Sequence, residues 1–442
     1  MRNVPLTGLL LCMAAQAAAQ VGLPAVRLPS LPSVPAPALP SVGLPPLTDQ
    51  AAALGELSPG SLRELRQQRI RELLRRHRDV LEADPHGAPI VRRELLAFSP
   101  QQGALELALA AGYTVVRERV LEELGARLVV LRAPDDTARS LTRLQALDPG
   151  GSYDFNHVYL PSGAPSRAVE AAPSPAPRMT ATAGEPAPAV ARVGLIDDGV
   201  DAHHAALQAV TIHAHGCAGV LLPAVHGTAV ASLIAGRAGH FRGAAPGAEL
   251  YAADVFCARP SGGAVDEVAE AFAWLVHEQV PVINVSLVGP ANRTLESVVA
   301  SAVTRGYLIV AAVGNDGPAA PPLYPAAWPG VVGVTAVDAR HRVLAEAERG
   351  PQVKLAAPGA DMAAARTPRG YALVRGTSFA APIVAGLLAQ ALRAPDKAAA
   401  EEALTTLERQ ALHPGAPGPD PAYGYGVVGA ELAPPQVLAL RP

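Results

Sequence analysis

Short apolar runs alternate with helix-period segments from residue 190 to the end of the chain. The apolar runs are Arg192–Ile196, Glu249–Phe256, Val280–Leu287, Tyr307–Val313, Val331–Val337 and Val353–Ala356. The helix-period segments are His226–Ala235, Val265–Glu278, Arg293–Arg305 and Ser378–Leu392. Continuous apolar strands separated by helices predict an α/β fold with a mostly parallel sheet covered on both faces. Ligands in such sheets bind at the carboxyl ends of the strands.

Residues 86–160 predict a second, smaller α+β domain. Strands are predicted at Val91–Phe98, Tyr113–Arg119, Arg127–Arg132 and Ser152–Leu160, and helices at Gln101–Ala111 and Asp135–Leu147. Strand–helix–strand therefore occurs twice, which is typical of a βαββαβ-like split sandwich.

Proline-rich segments separate these parts. Residues 20–60 are predicted to be a Pro-rich linker, and residues 161–190, with seven prolines and many alanines, a mobile linker that holds a processing region. Residues 61–84 predict a basic amphipathic helix, because leucines recur at helical spacing among seven arginines. Such a helix could contact a membrane or a partner. An ordinary solvated helix with one apolar stripe is the favoured interpretation.

The first 19 residues predict a signal peptide, with Arg2, an apolar run at Val4–Ala15 and small residues before Gln20. We therefore expect a secreted or periplasmic protein. No other apolar run reaches the length of a membrane span, so no stable membrane insertion is expected after the signal is removed. In an oxidising compartment Cys217 and Cys257 become a disulfide candidate, with two buried thiols as the alternative.

Composition sets further bounds. The 442 residues suggest two or three domains, and because only 4% are aromatic, the cores must be built mainly from Ala, Val and Leu. The formal net charge of −3 argues against a dedicated nucleic-acid binder. No Glu or Cys is spaced to complete a zinc site with the paired histidines at 203–204 or 213–215, so no metal site is predicted.

Three blocks supply the groups that serine acyl transfer needs. Asp197 ends a predicted strand, His226 opens a predicted helix, and Ser378 lies in the heptapeptide Gly376–Pro382. These residues can act as the orienting carboxylate, the general base and the nucleophile. The glycine allows close approach of the backbone, and a serine at a helix start places its amide and the helix dipole toward a developing oxyanion. Asn315, just past another strand, can donate a second hydrogen bond to that oxyanion.

Each block alone has an ordinary structural interpretation as a turn or a cap. Together with Asn284-Val285-Ser286-Leu287 and Ala312–Asn315, they resemble the subtilisin-like serine peptidases, or subtilases, over about residues 190–437. The chain order Asp, His, Ser is also that of this family and not that of the α/β-hydrolases.

The resemblance implies a subtilisin-like three-layer catalytic domain at residues 191–437. It implies that Asp197, His226 and Ser378 form the triad and that Asn315 is the oxyanion donor. Substrate-binding roles fall on one strand and the S1 pocket, namely on Asn284, Ser286, Leu287, Val288, Gly314 and Leu323. Residues 86–160 would be a propeptide that assists folding and inhibits the enzyme intramolecularly. The implied partners are polypeptide substrates, with no cofactor and no nucleic acid, and we expect a monomer.

Three departures from the family pattern carry expectations of their own. Asp198 stands where the family usually has Ser or Thr, so it either alters the charge balance around His226 or points to solvent. Val288 stands where Gly is common and is expected to narrow the cleft, which favours small or medium P1 residues. Ala206 stands where many relatives place a calcium-binding Asp, so the usual calcium site is not expected.

The sequence therefore predicts a secreted serine endopeptidase, made as an autoprocessed proenzyme, that hydrolyses peptide bonds through an acyl-enzyme. One alternative is a catalytically silent binding protein that retains the fold. An esterase acting through the same triad is a second alternative, but no Gly-x-Ser-x-Gly motif surrounds Ser378.

Overall fold

The computed structural model describes residues 59–162, 164–169, 190–220, 222–415 and 418–432. The predicted signal peptide and nearly all of the first Pro-rich linker lie outside these residues. The helices are α1 Pro59–Arg76, α2 Gln102–Ala110, α3 Thr137–Leu147, α4 Val225–Ala235, α5 Val265–His277, α6 Arg293–Thr304, α7 Thr377–Ala391 and α8 Lys397–Gln410. The N-terminal strands are β1 Leu81–Ala83, β2 Pro89–Phe98, β3 Thr114–Leu121, β4 Ala126–Arg132, β5 Ser152–His157, β6 Leu160–Pro161 and β7 Ala164–Val169. The later strands are β8 Arg192–Asp197, β9 Ile212–His215, β10 Arg237–Ala238, β11 Phe241–Arg242, β12 Glu249–Asp254, β13 Val282–Val285, β14 Leu287–Val288, β15 Leu308–Ala312, β16 Val332–Val337, β17 Val353–Pro358, β18 Ala360–Ala365 and β19 Tyr371–Arg375.

A seven-stranded sheet in the order β17-β16-β15-β13-β8-β12-β9 forms the centre of the larger part of the structure. All of its neighbouring strands pair in parallel. Its strands are apolar on both faces because helices cover both. Leu195 packs with the residues of α4 and α7, whereas the next residue, Ile196, packs with those of α5 and α6. This three-layer arrangement confirms the parallel α/β fold predicted from the apolar runs.

An antiparallel sheet of β1, β2, β4 and β3, with β5 beside β2, precedes it in the chain. Helices α2 and α3 cover one face, where Leu95, Val129 and Leu131 are buried. The other face, including Leu96 and Val130, packs in the same apolar cluster as α5 and α6. Strands β2 to β5 with α2 and α3 have the predicted βαββαβ order.

The prediction of a basic helix over residues 61–84 is wrong about where the helix ends. Helix α1 ends at Arg76, and Leu81–Ala83 form strand β1, which pairs antiparallel with β2. Leu81 is buried in this pairing, and the Asp84 carboxylate accepts hydrogen bonds from the amides of His86 and Ala88. The apolar residues that extended the helical pattern thus belong to a hairpin whose turn is stabilised by Asp84.

The predicted linker at 161–190 begins with ordered backbone. Strand β6 pairs antiparallel with β14, and β7 pairs antiparallel with β19. The composition of a Pro/Ala-rich segment gives no sign of this pairing, because the ordering comes from backbone hydrogen bonds to strands distant in sequence. Residues 170–189 lie outside the described part.

A disulfide joins Cys217 and Cys257, with an S–S distance of 2.09 Å. These residues follow β9 and β12, two neighbouring parallel strands at one edge of the central sheet. The bridge therefore links the two loops that leave this edge. Within the described residues, no helix is long and apolar enough to cross a membrane.

We predict that a Cys217→Ser/Cys257→Ser variant loses stability, because the bridge closes a loop with a sequence separation of 40. The expected loss in the free energy of unfolding is about 2–4 kcal/mol. Urea unfolding in a Ser378→Ala background, which excludes self-digestion, measures it. An unchanged unfolding free energy would contradict a stabilising role.

Candidate active site

Asp197 and His226 form a buried hydrogen-bonded pair at the carboxyl edge of the central sheet. Asp197 is the last residue of β8 and His226 is the second residue of α4. The His226 Nδ1 atom lies 2.8 and 3.0 Å from the two Asp197 carboxylate oxygens. A carboxylate in this position orients the imidazole and stabilises its protonated form.

The electrostatic environment of His226 favours its protonated form. Burial alone would lower the pKa of His226, but the charge and hydrogen bond of Asp197, together with the charge of Asp198, raise it above the ordinary value. The pair is thus suited to accept a proton and hold it as an imidazolium during a reaction.

Asp198 does not simply point to solvent. Its carboxylate accepts a hydrogen bond from the Gly227 amide and is partly buried. Burial and the adjacent Asp197 charge raise the pKa of Asp198 to about 7. The sequence leads us to expect that Asp198 either alters the charge balance around His226 or points to solvent. The structure supports the first of these, an influence on the charge around His226.

Ser378 is the second residue of α7, which begins at Thr377 directly after Gly376, and the Gly376 φ of 134° is in the region that favours glycine. The Ser378 Oγ is buried and lies 3.2 Å from the Ser286 carbonyl oxygen and 2.8 Å from the Ser162 Oγ. Among the described residues, His226 Nε2 has no hydrogen-bond partner. The structure thus brings Asp197 and His226 together, whereas Ser378 Oγ is bonded to groups other than the imidazole.

Pro382 makes the carbonyl of Ser378 depend on Ser286. A residue at position 382 would normally donate its amide hydrogen to the carbonyl at 378, but proline has none. The Ser286 Oγ donates to this carbonyl instead, at 3.1 Å, and itself accepts a hydrogen bond from Asn284 Nδ2 at 2.9 Å. Asn284 and Ser286, predicted as substrate-binding residues, therefore connect strand β13 to the helix of the nucleophile. Asn284, Ser286 and Ser378 are all fully buried.

Asn315 follows β15 and faces the carbonyl of Ser162. Its Nδ2 donates to the Ser162 carbonyl oxygen, and its Oδ1 accepts from the Thr377 amide at 3.1 Å. The Thr377 Oγ1 in turn accepts from the Gly314 amide at 3.2 Å. These bonds hold the predicted oxyanion donor and the start of α7 together.

The segment before Ser162 lies along the predicted substrate-binding strand. Leu287 pairs with Pro161, and Val288 pairs with Leu160, in antiparallel register. The Ser162 amide also donates to the Ser286 carbonyl oxygen at 3.4 Å. The backbone of residues 160–162 is therefore held as an added strand, the mode by which extended peptides bind to sheet edges.

Sequence reasoning missed Ser162 and Glu348 as residues of the site. Ser162 stood inside a predicted linker, where its only signal was a small residue shortly after the last predicted strand. Glu348 accepts from the Leu323 amide at 3.3 Å and would collide with any side chain at Gly314. Burial, with the nearby Asp316 charge, raises the pKa of Glu348 to about 9. No motif pointed to it, because it belongs to none of the recognised blocks.

Ala206, which stands where many relatives have a calcium-binding Asp, lies in an apolar environment. Ala206 is buried in a small cluster with Phe241 and Ala365, and its side chain carries no oxygen atom.

Comparison with known proteins identifies the family. The sequence profile of the subtilase family matches residues 190–426, more than half of the chain. The chain belongs to the subtilase family and is a serine endopeptidase.

Individual relatives match about half of the chain. Subtilisin Savinase from Lederbergia lenta is 35% identical over 211 residues, which are 47% of this chain and 77% of that protein. An alkaline protease from Alkalihalobacillus alcalophilus is also 35% identical over 211 residues, and the match spans about half of that protein, 54%.

The fold also matches a solved structure. Fervidolysin from Fervidobacterium pennivorans, described as a keratinolytic enzyme related to subtilisin, superposes with a TM-score of 0.62 at 20% identity. The match covers 78% of this chain and 62% of that one, and at this identity it shows a common fold alone.

Replacing Asp198 tests its influence on the general base. We predict that Asp198→Asn lowers the pKa of His226, because above about pH 7, where Asp198 is mostly ionised, a carboxylate that favours the imidazolium is removed. The unprotonated base then persists to lower pH, so the acidic limb of the kcat/KM profile moves to lower pH. Asp198→Glu, which keeps the charge, is the control. A limb that stays in place in the Asn variant would show that Asp198 does not influence the base.

Proposed function

We propose that the protein is a secreted serine endopeptidase, made as a proenzyme that cuts its own chain on the carboxyl side of Ser162. The observation that carries this proposal is the hydrogen bond from Asn315 Nδ2 to the Ser162 carbonyl oxygen. An oxyanion donor bonded to a carbonyl of the same chain, beside the nucleophile, is the arrangement expected before attack on that carbonyl.

The reaction follows from the positions of these groups. Ser378 Oγ leaves its bond to Ser286 and attacks the Ser162 carbonyl carbon, while His226 Nε2 takes its proton and Asp197 stabilises the imidazolium. Asn315 and the Ser378 amide bind the tetrahedral oxyanion. The C–N bond then breaks, and the proton on His226 passes to the leaving amine. Water hydrolyses the resulting ester by the same base and releases the Ser162 carboxylate.

Charged contacts support the role of the N-terminal sheet as an intramolecular inhibitor. Arg117 of β3 makes paired hydrogen bonds to Glu94 and a 2.6 Å hydrogen bond to Asp266, at the start of α5. Asn156 Nδ2 donates to the same two carboxylates. Burial opposes ionisation of Asp266, yet Arg117 and Asn156 hold its pKa below the ordinary value. A network of paired charges with two buried carboxylates fixes the N-terminal sheet against the catalytic part.

Export of the protein is part of the proposal. Its support is the signal-peptide pattern of residues 1–19 and the disulfide, which suits an oxidising compartment. Polypeptides are the proposed substrates in trans, and no cofactor enters the reaction.

Substrate preference is the first prediction of the proposal. Ser162 would be the P1 residue, and fully buried Val288 pairs with Leu160 two residues before it. We expect higher kcat/KM for Ala or Ser at P1 than for Phe. Val288→Gly should widen the cleft and raise the Phe-to-Ala ratio by about tenfold, while changing the value for Ala little. A strong preference of the parent enzyme for Phe or Tyr would refute this prediction.

Removal of the nucleophile tests the function itself. We predict that the parent chain yields a fragment ending at Ser162 and then reacts with a fluorophosphonate probe, as measured by intact mass. Ser378→Ala should do neither, because loss of this serine lowers kcat by about six orders of magnitude in subtilisin itself. Absence of both cutting and labelling in a correctly folded parent chain would favour a silent binding protein. Normal cutting of Ser378→Ala after refolding from purified, protease-free material would contradict self-processing.

A further inference from the structure

Helix α1 lies against the loop that contains the oxyanion donor. The Arg66 Nε atom is 3.1 Å from the Asp316 Oδ2 atom, and Asp316 directly follows Asn315 in the chain. The two side chains are only 20% and 14% exposed. Leu62, one turn earlier on the helix, is 3% exposed. The contact thus combines an ion pair shielded from water with a buried apolar side chain.

The same helix face shares a cavity with the bound segment. A cavity of about 90 Å³ is walled by Leu65 and Arg69 of α1, by Pro161 and Ser162, and by Asn315. Helix, bound strand and oxyanion loop therefore meet around one small space. The helix covers the site from the side on which residues 160–162 are held.

Charge makes a basic helix a suitable partner for this loop. Arg63, Arg66 and Arg69 recur every third residue, which places them on one face of α1. Burial raises the pKa of Asp316, and all three arginines act against that shift. The neighbouring Glu348 also has a raised pKa, because it is buried and close to the Asp316 charge. Without the helix, Asp316 would lose its ion pair with Arg66 while its charge remained close to the buried Glu348.

We infer that the surface around Asp316 is a docking site for a basic amphipathic helix and that α1 is its occupant, which prolongs inhibition after the chain is cut. This inference rests on the proposed self-processing at Ser162. Once that bond is broken, residues 59–162 remain held at the sheet interface, in the substrate cleft and at Asp316. Linked contacts raise the effective concentration of each, so loss of the helix contact should speed release of the whole fragment.

Refolding of the full chain tests this. The fraction cut at Ser162 is followed by mass, and peptidase activity is followed with a chromogenic peptide. In the parent chain we expect activity to appear well after cutting. In Arg66→Glu, which places like charges together, cutting should proceed at the parent rate and the delay before activity should shorten several-fold. High salt should shorten the delay in the parent chain more than in the variant.

Arg71→Glu is the matched control. It makes the same charge change in the same helix, at an exposed residue for which no bond to the catalytic part is found among the described residues. Its delay should equal that of the parent. An Arg66→Glu chain that is cut but keeps the parent delay would overturn the inference, as would equal shortening in both variants.

A second measurement separates this inference from the proposed function. In the uncut Ser378→Ala chain, trypsin should cleave α1 slowly when Arg66 is present and several-fold faster in the added Arg66→Glu variant. Equal rates of trypsin cleavage in the two chains would refute the docking of α1 at Asp316, even if the parent chain cuts itself at Ser162. A parent chain that never cuts itself would instead refute the proposed function, while the trypsin result would still decide whether α1 is docked.

Discussion

The hydrogen bond between the Asn315 amide and the Ser162 carbonyl is the contact on which the arrangement of the site depends. It is made only because strands hold the chain on both sides of Ser162. Leu160–Pro161 pair with Leu287–Val288, and the chain pairs again at Ala164–Val169 with Tyr371–Arg375. Since these are backbone contacts, they fix the position of one carbonyl with little demand on the side chains of the bound segment.

The groups around that carbonyl are held by buried polar contacts, each of which pairs a polar or charged group that would otherwise be buried without a partner. Asp197 would be costly to bury alone, and His226 supplies its partner. Pro382 removes the amide that would satisfy the Ser378 carbonyl, and the Ser286 hydroxyl takes its place. The orientation of the nucleophile thus depends on the same strand region that receives the substrate backbone. This coupling explains why the segment Asn284–Leu287 is a recognisable block although its polar side chains are buried.

Much of the fold was predictable because buried parallel strands appear in the sequence as short apolar runs between helices. Asp197, His226, Ser378 and Asn315 were identifiable because each stands at the end of such a strand or the start of a helix. Other features gave no local signal. The ordering of Leu160–Pro161 and Ala164–Val169 comes from distant strands, and the Arg66–Asp316 pair joins residues that are 250 positions apart in the sequence. Helix α1 was predicted too long, because Leu81 continues an apolar pattern whose physical cause is burial in a hairpin.

The central claim is that the chain occupies its own cleft as a substrate. The most direct test is the rate of cutting at Ser162 measured over a hundredfold dilution of the refolded precursor. If the Ser162 carbonyl is attacked by Ser378 of the same molecule, the fraction cut per unit time stays constant on dilution. A rate that falls in proportion to concentration, or a first cut at another bond, would contradict the account.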